Sequence, residues 1–111
     1  MTTTIKPLVP AKFAENTQTT QYTASNVRAS IDKFTGTNVT SANVTLTVNI
    51  IPNGGTVGSS NIVSQTRTIA PGETHGFPDL VGQYLEPGGV ISTIASASSS
   101  IVLRVSGREI A

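Results

Sequence analysis

Residues 44–50 alternate without a break. Val44, Leu46, Val48 and Ile50 fall on one side of an extended chain, and Thr45, Thr47 and Asn49 fall on the other. A period of two is that of a β-strand with one buried and one wet face, and a helix would scatter these apolar groups round its surface. Ile101, Leu103 and Val105 repeat the pattern against Val102, Arg104 and Ser106; Val27, Ala29 and Ile31 do so against Arg28, Ser30 and Asp32. Phe34 is out of step with that last series, which predicts a bulge or a second covered face near Lys33.

Turn signals separate the runs: residues 38–43, Pro52-Asn53-Gly54-Gly55, Ala70-Pro71-Gly72-Glu73, Glu86-Pro87-Gly88-Gly89 and the small residues 96–100. Asn-Gly and Pro-Gly supply the positive φ and fixed φ that tight turns need. Further strands are expected over residues 61–69, 74–77 and 90–95, and a second extended segment over the Thr-rich residues 16–25. Residues 78–85 are the single candidate for a helical turn, and residues 56–60 extend the Asn-Gly turn into a flexible tip. Seven or eight short strands at this spacing predict an all-β fold, a two-sheet antiparallel β-sandwich of the jelly-roll or Ig-like kind. Residues 22–111 form the sandwich domain. Residues 1–21, with Pro7 and Pro10, form an extended N-terminal arm or an edge strand.

Composition narrows the functions open to such a fold. The chain has 111 residues, enough for one core, and only 12% are charged, with a net charge of +1. An ordinary free surface carries roughly 25–35% charged residues. Thr and Ser instead supply 17 and 12 residues, a composition suited to packed polar surfaces and repeated subunit contacts. With no run of basic residues, no nucleic-acid partner is expected. The absence of Cys excludes disulfides, thiolate metal sites and a cysteine nucleophile. No apolar run reaches the ~18–20 residues of a membrane helix, and the first residues lack the apolar stretch of a secretory signal, so neither membrane nor export is expected.

Catalytic chemistry has little to work with. His75 is the lone histidine; Glu73 and Asp79 lie near it in sequence, but no nucleophile motif accompanies them. The glycines sit in turns and not ahead of a helix that could cradle phosphate. No enzyme, cofactor or metal is expected. The sequons at Asn38 and Asn43 are of the kind that arises by chance in a chain this rich in Asn and Thr. Binding to a partner has better support. Ile5, Leu8, Val9 and Phe13 concentrate apolar area on the arm, either as contacts for a neighbour or as the first strand of the chain's own sandwich. Asn53, Gly54 and Gly55 at the tip, and Tyr84 in the later loop, are further candidate contacts.

From residue 44 onward, Val44-Thr45-Leu46-Thr47-Val48, Ile51-Pro52-Asn53-Gly54-Gly55, Ala70-Pro71-Gly72-Glu73-Thr74, Leu85-Glu86-Pro87-Gly88-Gly89 and Leu103-Arg104-Val105-Ser106-Gly107-Arg108-Glu109-Ile110 together resemble the small β-sandwich structural proteins of tailed bacteriophages. That resemblance implies a virion component assembled in the host cytoplasm. The foremost expectation is a capsid cement (decoration) protein contacting the major capsid protein or other virion subunits, itself a homo-oligomer. The alternatives are a tail or head–tail connector subunit, or a virion module binding carbohydrate or the host surface. The resemblance brings no catalytic residues with it.

Overall fold

A computed structural model describes residues 2–111, which form nine strands. These are β1 (Thr3–Phe13), β2 (Thr19–Thr23), β3 (Arg28–Asn38), β4 (Val44–Ile51), β5 (Ile62–Ile69), β6 (Thr74–Gly76), β7 (Tyr84–Leu85), β8 (Val90–Ala95) and β9 (Ile101–Ile110). The first sheet runs β1-β9-β3-β6, with β7 also paired to β3, and the second runs β2-β8-β4-β5. All pairings are antiparallel.

The wiring is that of a long hairpin: β1 pairs with β9, β2 with β8, β3 with β6 and β7, and β4 with β5. Rolling that hairpin brings β9 against β3 and β8 against β4. Of the two sandwich types expected, this is the jelly roll. The alternating apolar residues meet between the sheets. Ile31, Phe34, Leu103, Val105 and Ile101 of the first sheet, and Leu46, Val48, Ile91 and Ile69 of the second, are essentially inaccessible to water.

The bulge in β3 falls between Ile31 and Lys33, where the register shifts. It explains why Ile31 and Phe34 both point inward although three residues apart. Residues 78–85 contain no helix; they form turns leading into β7. The one helical turn among the described residues is a short 3-10 turn at Ser59–Asn61, inside the segment expected to be a flexible tip. That segment is pinned. Asn49 lies on the outer side of β4, 1% exposed, and donates to Gly58 O at 3.2 Å and Asn61 Oδ1 at 2.7 Å. Asn61 donates in turn to Thr56 O at 2.8 Å, so the loop folds back over the sheet. Period-two reading assigned Asn49 to water; the loop supplies its partners instead.

Asn38 is another buried polar side chain whose bonds are all made. It donates to Ala42 O and Ile69 O at 2.7 and 2.8 Å and accepts from the Thr40 backbone and hydroxyl at 2.9 and 2.7 Å. Closed in this way, its side chain cannot carry a glycan in the folded chain.

Candidate interaction surface

Directly opposed residues of antiparallel strands share a face, so the register defines the outer surface of the first sheet. On β9 it presents Val102, Arg104, Ser106, Arg108 and Ile110. Their β3 neighbours are Thr37, Thr35, Lys33, Ser30 and Arg28 in that order. β1 contributes Phe13 opposite Val102, Pro7 opposite Ser106 and Ile5 opposite Arg108. Tyr84 of β7 stands beside Ser30. One row across the sheet therefore reads Ile5, Arg108, Ser30, Tyr84. The face gathers four of the chain's seven basic residues and one of its six acidic residues. That one, Asp32, pairs with Arg108 at 3.0 Å.

A hollow of about 350 Å³ lies on this face. Its cause is local: β1 bulges twice, between Pro7 and Val9 and again between Val9 and Lys12. Prolines cannot donate to the ladder, and the extra residues let Pro10 and Ala11 leave it. β9 forms the floor of the hollow. Pro7, Pro10 and Ala11 border one side, and Lys33 and Thr35 border the other, with Arg104 and Ser106 between. No carboxylate lines it. Among the described residues the ion pairs are Lys6–Glu109, Lys12–Glu15 and Arg108–Asp32, so Lys33 and Arg104 face water without a counter-charge.

Of the expected contact residues, Ile5 and Phe13 are on this surface, 81% and 46% exposed. Leu8 and Val9 are not available to a partner: they are 5% and 1% exposed and pack in the chain's own core. The bulge at Leu8 turns both neighbours inward, a placement that alternation cannot anticipate. Since β1 hydrogen-bonds to β9 along its length, the arm adds its strand to its own sheet and not to a neighbour's. Tyr84 is 46% exposed at the opposite edge. Asn53, Gly54 and Gly55 lie in the turn closed by Gly55 N–H to Pro52 O at 2.9 Å. Asn53 packs on Gly88, at φ +88°, where any Cβ would collide with its side chain. The turn and the Tyr84 segment thus meet at one end, with Pro52, Tyr84 and Glu86 around a hollow of about 160 Å³. The groove with Lys33 and Arg104 was missed at the sequence level.

A polar tie joins the two sheets near this face. Tyr22 of β2, buried, donates to Glu109 of β9, whose other oxygen lies 3.4 Å from Lys6 Nζ. Burial first, then the bond to Glu109, raises the Tyr22 hydroxyl well above its ordinary pKa. Glu15 is held below the usual carboxylate range, chiefly by the Gln21 amide at 2.9 Å and then by Lys12 at 3.0 Å.

His75 and Glu73, close in sequence, have separate contacts. The His75 ring stands edge-on to Phe77 at 4.6 Å, while Glu73 accepts the Ala70 N–H at 2.7 Å, which closes the turn before β6. Among the described residues no three His, Asp or Glu cluster as metal ligands would. No helix among the described residues is long and apolar enough to cross a membrane. Fold and surface together define a jelly-roll sandwich with one open basic sheet face. No family model, curated protein or solved structure matches the chain.

Proposed function

We propose that this chain is a non-enzymatic structural subunit of a tailed-phage particle, a capsid cement protein in the first instance, gripping its neighbours through the outer face of its first sheet. One observation carries this reading: unpaired Lys33 and Arg104 share that face with exposed Ile5, Phe13 and Tyr84, on a scaffold fixed by inter-sheet packing. A face that holds cations beside exposed apolar groups suits a partner that supplies both complements. Jelly rolls recur in viral shells, and the resemblance of about residues 22–111 to phage structural proteins agrees with such use.

The test is quantitative mass spectrometry of purified particles from the phage that encodes the chain, with re-addition of purified protein to expanded capsids. Hundreds of copies and a raised capsid melting temperature support cement. About a dozen copies would move the subunit to the neck or tail. Absence from particles would overturn the reading.

A further inference from the structure

We infer that the groove over β9 receives the 78–86 loop of a second copy of this chain, so that copies join head to tail. The inference rests on reading the first sheet's outer face as a contact surface and names what covers it. The groove offers Lys33 and Arg104 without counter-charges beside Pro7, Pro10 and Ala11. The loop offers the complement. Asp79 and Glu86 are exposed and outside every ion pair of the described residues, and Val81 and Tyr84 beside them are 52% and 46% exposed.

The loop is rigid before it binds. Leu80 and Leu85 are anchored in the core, Gly82 N–H donates to Ile31 O at 2.7 Å, and Ile31 N–H donates to Gln83 O at 2.9 Å. Little ordering entropy is then lost on docking. Held in this way along β3, where Phe77 N–H also donates to Phe34 O at 2.9 Å, the loop flanks the Lys33 side of its own groove but contributes no residue to its lining. Groove and loop are different patches on one sheet, so a contact made once between two copies is heterologous and joins them head to tail. Stacking groove directly on groove would set Lys33 and Arg104 against the same cations of the partner, which opposes that two-fold arrangement. Strand addition is likewise disfavoured, and the edge made by β6 and β7 offers only three and two residues. β1 carries two bulges and two prolines, β2 a bulge at Gln21, and β5 two register shifts and a positive φ at Thr66.

Sedimentation equilibrium of the purified full chain tests this. The wild-type chain is expected to self-associate, more weakly as salt rises. K33E/R104E and D79K/E86K should each weaken association by about tenfold or more, with thermal melts and circular dichroism unchanged. Mixing the two variants should give a 1:1 heterodimer, because one retains an intact loop and the other an intact groove. A monomeric wild type, or oligomers indifferent to both variants, would overturn the pairing. Sensitivity to the groove variant alone would also overturn it and make a different segment of the second copy the occupant. The outcome separates from that of the virion reading: a monomer found in particles defeats only the pairing, and an oligomer missing from particles defeats only the virion role.

Discussion

Arg104 on β9 and Thr47 on β4 hold equivalent places: each is central in its strand and points away from the core. Around Arg104 the outer face is open and carries Arg28, Lys33, Arg108 and Asp32. Around Thr47 the residues are Thr45, Asn49, Ser92 and Ile94, and no residue facing outward there is charged. The second sheet holds a single charged residue, Arg67, on its edge strand β5. Its outer face satisfies itself: Thr47 Oγ1 accepts the Thr66 N–H at 2.8 Å, Ser92 Oγ donates to Thr19 O at 3.1 Å, and the loop after β4 bonds to Asn49. Apart from Gln21 Oε1, which is buried without a partner, and Arg67 at the edge, one layer turns its polar groups to bonds inside the chain, while the other leaves charge pointing at water. Equal alternation in sequence produces unequal surfaces, and the difference lies in what the loops and bulges do.

Substitutions break or sharpen that contrast. The largest effect is expected at Gly107, which lets β1, β9 and β3 lie in register: an added Cβ would overlap the Ser30 carbonyl and stand 2.8 Å from Leu8 Cδ1. Gly107→Ala should cost about 3 kcal/mol or more in urea unfolding and dismantle the open face with it. Asn49→Ala strips the loop's donors from the closed face and should cost about 2–3 kcal/mol, together with faster amide exchange across residues 56–61.

Tyr22→Phe removes the tie between the layers and should cost about 1–2 kcal/mol by the same measurement. The raised Tyr22 pKa gives a sign for pH as well. Its contribution is complete below the unfolded tyrosine value, near 10, and is lost as pH rises toward the folded one. Stability should therefore begin to fall above about pH 10, and this fall should be flatter in Tyr22→Phe. Glu15 acts in the opposite direction: with a lowered folded pKa, it stabilises above the ordinary carboxylate value and the gain fades as acid protonates it. Because that carboxylate is 40% exposed, Glu15→Gln should flatten the acid limb by less than about 1 kcal/mol. Smallest of all, Lys33→Ala and Arg104→Ala should leave stability within about 0.5 kcal/mol, since neither cation holds the fold together.

Much of this was legible in the residues. The strands, the bulge by Lys33 and the sandwich class follow from alternation and turn chemistry, which are local. Arg104 and Ser106 were readable as one face of β9, and Arg28 and Ser30 as one face of β3. That the two strands lie side by side was not readable, because the pairing is fixed by core packing between segments some seventy residues apart. The groove inherits this blindness. Leu8 and Val9 illustrate the other limit: consecutive apolar residues in a bulged strand both turn inward, and the period of two that signals burial elsewhere is absent there.

The most direct test compares binding to purified particles by three forms of the chain: wild type, K33E/R104E, and T47K/I94K, which puts charge on the closed face. Wild type and T47K/I94K should bind alike while K33E/R104E is lost to the supernatant. Retention of K33E/R104E with loss of T47K/I94K would contradict the account, because the gripping surface would then be the uncharged one.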